Sequence, residues 1–295
     1  MRYKVSHTTT YSYSDAVPIC HNEVRLTPRD HSHQICLTHR LSVRPNPTSM
    51  ERATDYFGNQ VHFFTVQEGH QRLFVTALSK VKVMPRQVPL PSSTPPWETV
   101  RDWLAARRAP THLESVQYLY DSPFIRTNDE LLAYAEPSFS AGRPWLECLL
   151  DLTQRIYDDY TYDPTATNLR TPLEEAMQLK RGVCQDFAHL QIGCVRALGL
   201  SARYVSGYLL TEPPPGKPRL IGADASHAWM GAYCPEIGWI EFDPTNNQIP
   251  SVKHVTLAWG RDYYDVCPIK GVFLGGGKHA MTVSVDVLPL DQEAA

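Results

Sequence analysis

Residues 1–84 alternate apolar and polar positions over short runs, with the two-residue period of strands that bury one face. Leu73 and Val75 show this period clearly. Turn-forming residues separate the runs, and residues 55–60 (DYFGNQ) predict a tight hairpin turn. Short, regularly spaced strands predict a small antiparallel β-sandwich. The predicted strands are 3–13, 23–27, 35–43, 59–66 and 72–83.

The pattern changes after residue 84. Residues 85–97 hold five prolines, which interrupt helices and central strands, and so predict an extended linker. Residues 98–295 then show apolar positions at helical spacing, followed by strand-like runs. Thr171 is expected to cap the second of three helices. The helices are predicted at 145–157, 171–180 and 184–198, and the strands at 202–210, 228–233, 239–242 and 281–288.

These patterns predict an α+β protein. The β domain occupies residues 1–84, the proline-rich linker residues 85–97, and a mixed core residues 98–295, with a C-terminal β extension. A length of 295 residues suits two domains, because a domain typically has roughly 100–200 residues.

Composition narrows the classes of function. The formal net charge is −3 and no long run carries one sign, so we expect neither a nucleic-acid partner nor a membrane surface. No segment approaches the roughly 18 apolar residues of a membrane-spanning helix. The N-terminal residues lack the apolar core of a signal peptide, and we therefore expect a cytoplasmic protein. The oligomeric state is not indicated.

The chain has seven cysteines, an odd number in a protein of this length, which does not favour a disulfide scaffold. No two of them have the Cys-x-x-Cys spacing of a zinc site. His31 and His33 give only a weak metal signal, and a solvated loop is the favoured interpretation. We expect no metal and no cofactor. Most of the cysteines should be small buried apolar residues, and the question is whether one differs.

Cys184 is that candidate, because it opens a predicted helix directly after Gly182 and Val183. Glycine gives the preceding turn conformational freedom. The N-terminus of a helix favours negative charge, and so raises the thiolate fraction of a cysteine placed there. The free backbone N–H groups at that end can also donate to an oxyanion.

His227 lies 43 residues after Cys184, and Asp243 a further 16 residues on, at the end of a predicted strand. An imidazole beside a thiol can take its proton and later protonate a leaving amine. A carboxylate from a neighbouring strand would hold the imidazole and stabilise its charged form. Each residue alone is more often structural, so the prediction depends on all three occurring in this order.

Four segments around these residues form a set of motifs: 182–190 (GVCQDFAHL), 198–208 (LGLSARYVSGY), 226–229 (SHAW) and 238–245 (GWIEFDPT). They resemble, in the same order, motifs of the bacterial transglutaminase-like superfamily. The tail segments 260–266 and 271–275 are also similar, and residues 1–84 resemble the β domain that precedes the core in such proteins. The resemblance covers nearly the whole chain.

The resemblance implies a papain-like core in which the nucleophile helix packs on an antiparallel sheet, with Cys184, His227 and Asp243 as the catalytic triad. It implies acyl transfer at a peptide or protein amide through a thioester. Hydrolysis, as in a peptidase or amidase, is the favoured interpretation. The alternatives are amine transfer to protein glutamine, as in a transglutaminase, and a non-catalytic binding protein that retains the fold. The acidic calcium loops of animal transglutaminases are not visible.

Several further residues are candidates for the site. Tyr162 could complete the oxyanion hole, since in such folds a side chain upstream of the nucleophile often does. Gln185 could line the cleft or pack in the core, and Asp186 is expected to cap the nucleophile helix. A polar and aromatic cluster after the core could line the cleft or dock the two domains. Its members are Arg261, Asp262, Tyr263 and Asp265.

Overall fold

The structure is a computed structural model that describes residues 1–106, 113–211 and 226–290. Of the helices within these ranges, none is long and apolar enough to span a membrane. The strands are β1 (Arg2–Val17), β2 (Cys20–Val24), β3 (Gln34–Arg44), β4 (Ser49–Thr54), β5 (Gln60–Val66), β6 (His70–Val83), β7 (Thr161–Tyr162), β8 (Arg181–Gly182), β9 (Ala202–Leu209), β10 (Ser226–Cys234), β11 (Gly238–Phe242), β12 (His254–Gly260), β13 (Ile269–Phe273) and β14 (His279–Pro289). The helices are α1 (Trp97–Ala106), α2 (Leu113–Val116), α3 (Asp129–Ala135), α4 (Trp145–Asp159), α5 (Leu173–Leu179), α6 (Cys184–Ala197) and α7 (Tyr263–Val266).

The N-terminal strands form two antiparallel sheets, which we call the first and second sandwich sheets. The first has the order β14-β1-β6-β3 and the second β13-β2-β5-β4. Each of the five predicted strands overlaps an observed one, and the predicted hairpin joins β4 to β5, with Gly58 at a φ of +78°. Strand β4 was not predicted, because all six of its side chains are exposed and no apolar period marks them.

The C-terminal extension returns to the N-terminal sheets. The observed β14 contains the predicted strand 281–288 and pairs along its whole length with β1, while β13 pairs with β2. Each sandwich sheet therefore takes one edge strand from the end of the chain. The division at residues 84 and 97 stays a prediction, and the β unit that the strands build also includes residues beyond it.

The core sheet has the order β11-β10-β9-β12, and α6 packs against its central strands β9 and β10. The apolar face of α6 explains this packing, since Phe187, Leu190 and Val195 are all buried. Helices α3, α4 and α5 cover the other side of α6. The predicted cap Thr171 is wrong: α5 begins at Leu173 after Pro172, and the Thr171 hydroxyl instead accepts the N–H of Asn168.

Two amide side chains of the β domain pair with the backbone of β12, an edge strand of the core sheet. The Gln34 amide donates to the Thr256 carbonyl (2.7 Å), and its oxygen accepts the Thr256 N–H (2.8 Å). Asn59 bonds the N–H and carbonyl of Trp259 in the same way, at 3.0 and 2.9 Å. The β domain thus satisfies edge groups that would otherwise need another strand or water.

Strand β9 passes so close to its neighbours that position 207 has no room for a side chain. A Cβ on Gly207 would lie 2.1 Å from the Val255 carbonyl oxygen and 2.5 Å from the Trp229 ring. Gly207 also pairs with His227 across the sheet. The approach of these strands therefore depends on glycine at this position.

We expect Gly207→Ala to lower the free energy of unfolding by about 1–3 kcal/mol, because the added methyl group overpacks a rigid site. Urea denaturation followed by circular dichroism measures this loss. The matched control is Gly69→Ala, where an added Cβ meets no atom within 4 Å. Equal stability of the two variants would contradict the prediction.

Candidate active site

Cys184 is the first residue of α6, and its position is set by the short parallel pair β7 and β8, in which Tyr162 lies opposite Gly182. The Asp186 carboxylate accepts the N–H of Val183 at 2.8 Å, which confirms its predicted capping role. A Cβ on Gly182 would lie 2.4 Å from that carboxylate, so glycine is needed for the cap to form. The candidate nucleophile therefore lies at a helix N-terminus that the Asp186 cap stabilises.

His227 lies on β10, and Asp243 directly follows the adjacent strand β11. Met230 pairs with Phe242, which brings Asp243, one residue beyond β11, to the face that carries His227. The Nε2 atom of His227 is 2.8 Å from the Asp243 Oδ2 atom. This leaves Nδ1 as the nitrogen for the Cys184 thiol, whose interaction with the imidazole raises the pKa of His227. The three residues therefore form a chain from thiol to imidazole to carboxylate.

The electrostatics of this chain favour a charged imidazolium. Burial alone would lower the pKa of His227, but the hydrogen bonds to Asp243 and Cys184, together with their charges, raise it from 6.5 to about 10. Burial would raise the pKa of Asp243, yet its hydrogen bonds with His227 and His254 hold it well below the usual range. The site thus favours a proton on the imidazole beside an ionised carboxylate.

The sequence did not identify two further partners of Asp243. The Asn246 side chain donates to the Asp243 Oδ2 atom at 2.8 Å, and the His254 Nε2 atom lies 3.1 Å from the same oxygen. The other carboxylate oxygen accepts the backbone N–H groups of Thr245 and Asn246. Asn246 could have been suspected from its place in the turn after Asp243, whereas His254 becomes a neighbour only through the pairing of β12 with β9.

His227, Asp243 and His254 also have the donor types and the spacing of a metal site, since one ligand atom from each lies within 4.8 Å of the others. Both imidazole Nε2 atoms, however, already face the same carboxylate oxygen directly. The edge of the His254 ring meets Trp229, with the ring centroids 5.1 Å apart. We therefore interpret the cluster as a hydrogen-bonded network that fixes the Asp243 carboxylate.

A buried ion pair lies behind the triad. The indole N–H of Trp229 donates to Glu241 at 3.0 Å, and Glu241 pairs with Arg203 at 3.7 Å. The Arg203 guanidinium lies over the rings of Trp239 and Trp259, at 4.2 and 3.7 Å from their centroids. Trp229 and Trp259 thus pack in the interior, Trp239 is partly exposed, and the carboxylate partner of Arg203 is Glu241.

A cleft of about 380 Å³ opens over Cys184 and His227. Three of the sequence candidates line it: Tyr162, Gln185 and Tyr263. The Tyr162 side chain is 53% exposed, whereas Gln185 is buried. The structure therefore brings these three side chains to the nucleophile.

Arg261 and Asp262 do not line the cleft as the sequence suggested, because both side chains bind other groups. Arg261 forms two hydrogen bonds with Asp265, and its guanidinium lies 5.9 Å from the ring centroid of Phe57 in the β domain. Asp262 is fully buried, caps α7 and accepts the N–H of Phe124 at 2.7 Å. Arg261 therefore fits the alternative of domain docking.

The β domain forms the opposite wall of the cleft, which sequence reasoning missed. Thr9 and Tyr11 of β1 face the cleft together with Met281 and Val283 of β14. Their strands are far from Cys184 in sequence, and only the return of the C-terminal extension to β1 brings them there. The regular alternation of β14 predicts a strand but carries no sign of this contact.

The hydrogen bond between His227 and Asp243 should make stability depend on pH. Because the pKa of His227 is raised to about 10, this histidine stabilises the folded protein fully below pH 6.5. Its contribution to the free energy of unfolding is lost as the pH rises through about 10. Because the pKa of Asp243 is lowered from 3.8, its contribution is present above that value and is lost on further acidification. We expect Asp243→Asn to lose more unfolding free energy at about pH 6 than at about pH 10.

Urea denaturation of both proteins at the two pH values measures this difference. Asp102→Asn, which changes a carboxylate whose side chain is 68% exposed, is the control and should show no such pH dependence. The prediction is contradicted if Asp243→Asn loses the same free energy at both pH values.

Comparisons with known proteins agree with this fold. Residues 3–82 match the bacterial transglutaminase-like N-terminal region, and residues 134–244 match the transglutaminase-like superfamily. An uncharacterized protein of Mycobacterium bovis is 41% identical over 300 residues, which cover 99% of this chain and 94% of that protein. The protein-glutamine gamma-glutamyltransferase of Pseudomonas aeruginosa is 34% identical over 92 residues, 31% of this chain and 14% of that protein.

A solved structure of a candidate cysteine protease from Cytophaga hutchinsonii shares the fold over the whole chain. Its TM-score is 0.75 at 22% sequence identity, and the match covers 100% of this chain and 92% of that one. The fold class predicted from the sequence is confirmed. With two family matches in the predicted order and a relative aligned over nearly its whole length, the chain belongs to the transglutaminase-like superfamily.

Proposed function

We propose that this protein is a cysteine-nucleophile enzyme that hydrolyses an amide bond of a peptide or protein through a thioester. The arrangement of Cys184, His227 and Asp243 is the observation that carries the proposal: the imidazole is bonded to the carboxylate, and it shares an open cleft with the thiol. The cytoplasmic location expected from the sequence stays a prediction.

In the first half of the reaction, the Cys184 thiolate attacks the carbonyl carbon of the amide and forms a tetrahedral intermediate. The His227 imidazolium then donates its Nδ1 proton to the amide nitrogen, the C–N bond breaks and the amine leaves. The acyl group remains on the sulfur as a thioester. The Asp243 carboxylate supports this step because it stabilises the charged imidazole before the proton is transferred.

In the second half, a water molecule attacks the thioester carbonyl while His227 takes one of its protons. The C–S bond breaks and the carboxylic acid leaves, which restores the thiolate and the imidazolium of the starting state. The site needs only a water molecule within reach of the imidazole, and the cleft is open to solvent at Tyr162.

The oxyanion of each tetrahedral intermediate needs hydrogen-bond donors. The N–H of Cys184 is one, since the first N–H groups of a helix have no partner within it. Tyr162 is the candidate for the second, because β7 and β8 hold it beside the nucleophile and its side chain lines the same cleft. Gln185, although it also lines the cleft, is the less exposed of the two.

Amine transfer is the second candidate, because the sequence similarity includes a protein named as a protein-glutamine gamma-glutamyltransferase. In that reaction a primary amine would replace water and attack the same thioester, giving a new amide. The two reactions share every residue of the triad and differ only in the second nucleophile. They must therefore be separated by their products.

We expect Cys184 to be alkylated by iodoacetamide at about pH 6 at least ten times faster than the other six cysteines, because a neighbouring charged imidazole makes a thiol group more nucleophilic. His227→Ala should remove this advantage. Peptide mass spectrometry over a range of pH measures the rates. His21→Ala, which changes an exposed histidine of β2, is the control. If Cys184 reacts no faster than the other cysteines, a non-catalytic binding protein becomes the better interpretation.

We expect acyl transfer to water to exceed transfer to an amine. A set of glutamine-containing peptides is incubated with the enzyme in ¹⁸O-labelled water, with a primary amine present at millimolar concentration. Mass spectrometry should show carboxylates that have gained one labelled oxygen, and Cys184→Ala should form none. A product mixture dominated by the amine adduct would instead establish the transglutaminase alternative.

A further inference from the structure

Part of the inner face of the first sandwich sheet faces the cleft of the nucleophile. On β14, Val285 and Val287 point to this face and are fully buried. Val283 and Met281 lie on the same face, because side chains alternate along a strand, yet they are 47% and 52% exposed. Apolar positions on an inward face are normally covered, and here the described residues leave two of them open.

These open positions border the cleft of the nucleophile. Val283 and Met281 line the cleft that also contains Cys184 and His227. Opposite them in register on β1 are Thr9 and Tyr11, which line the cleft too. A group attached to a carbonyl at Cys184 can therefore reach this wall.

The β-domain wall of the cleft is poorly suited to a charged group. Besides the Cys184–His227 pair, the described residues that line the cleft include no Lys, Arg, Asp or Glu. His7, the histidine of the β-domain wall, is neutral near pH 7, because burial lowers its pKa to about 4. A charged side chain placed there would lose its hydration without gaining a partner, whereas an apolar one would be removed from water favourably.

The wall is held rigidly against the core sheet. The Tyr208 hydroxyl of β9 is 2.9 Å from the His7 Nδ1 atom, and the His7 Nε2 atom is 3.0 Å from the Thr9 hydroxyl. All three residues are buried. A wall fixed in this way can select a ligand without first being ordered by it.

We propose that Met281, Val283 and Tyr11 form an apolar subsite that binds an apolar or aromatic side chain next to the amide bond attacked by Cys184. The subsite rests on the proposed function, since it assigns the substrate class of the same cleft. It also gives the β domain a role, which is to select the substrate while the core supplies the chemistry.

Three alkylating reagents with the same reactive carbon test the subsite without a known substrate. They are iodoacetamide, N-benzyl-iodoacetamide and iodoacetylglycine, which carry no side group, an apolar group and a carboxylate. We expect the benzyl reagent to alkylate Cys184 about ten-fold or more faster than iodoacetamide, with saturation, because its ring is buried on the wall. The carboxylate reagent should be no faster than iodoacetamide.

Two variants test whether the wall causes the faster alkylation by the benzyl reagent. For each protein, the rate with the benzyl reagent is divided by the rate with iodoacetamide. Val283→Asp places a charge on the wall, and Met281→Gln keeps the side-chain length but makes it polar. Both positions are about half exposed, so the fold should tolerate the changes. Leu288→Asp is the matched control, because Leu288 is 40% exposed on the opposite face of the same strand. The two wall variants should lose most of the benzyl advantage, and the control should keep it.

The possible failures are distinguishable. If iodoacetamide labels Cys184 rapidly but the benzyl reagent has no advantage, the subsite is wrong and the proposed nucleophile stands. If Leu288→Asp loses the advantage as much as Val283→Asp does, the wall is not its source and the subsite is again wrong. If no reagent labels Cys184 faster than the other cysteines, the proposed function fails and the subsite fails with it.

Discussion

The Asp243 carboxylate is fully buried, and its need for hydrogen-bond donors organises the site around it. An ionised group removed from water is costly unless donors replace the lost hydration. Here the donors are two imidazoles, one side-chain amide and two backbone N–H groups of the turn that follows Asp243. Since these donors come from β10, β12 and the turn after β11, a properly formed carboxylate site requires three strands of the core sheet to be in register.

Because Asp243 needs these donors, the geometry of the site also depends indirectly on the β domain. His254, one of the two imidazoles, opens β12, the edge strand whose backbone is bonded by Gln34 and Asn59 of the β domain. An edge strand without these two amides would leave backbone groups unpaired and could shift more easily. The β domain therefore contributes to the position of His254, and through the shared carboxylate to that of His227.

The residues of the candidate triad could be named from the sequence because a cysteine, a histidine and an aspartate occur in the expected order, and two of them lie at a local structural signal. Cys184 follows a glycine at a helix start, and Asp243 precedes a proline at the end of a strand. His254 carries no comparable signal: nothing in its neighbourhood in the chain shows that it will meet Asp243. Arg261 and Asp262 show the opposite error, because polar residues next to a site are expected in the cleft, whereas Asp265 and the N–H of Phe124 bind them elsewhere.

Strands that hydrophobic alternation marks were predicted well, and those that it does not mark were missed, as the exposed strand β4 shows. The alternation of β14 indicates a strand with one buried face, but it cannot show that the burial stops at Val285. Which residues cover each part of a strand depends on the tertiary arrangement. Here that arrangement follows from the pairing of β14, near the end of the chain, with β1.

The proposed division of labour follows from the contrast between the two walls of the cleft. The core wall carries the thiol and the imidazole, whose placement depends on a network of hydrogen bonds in which small displacements are costly. The β-domain wall is a pair of strands whose cleft-facing side chains, Met281 and Val283, are half exposed and take no part in that network. Substitutions on the second wall can therefore change which side chain is bound without disturbing the Cys184–His227–Asp243 chain. On this reasoning, members of the superfamily that join the same core to a different second wall should retain the chemistry and differ in substrate.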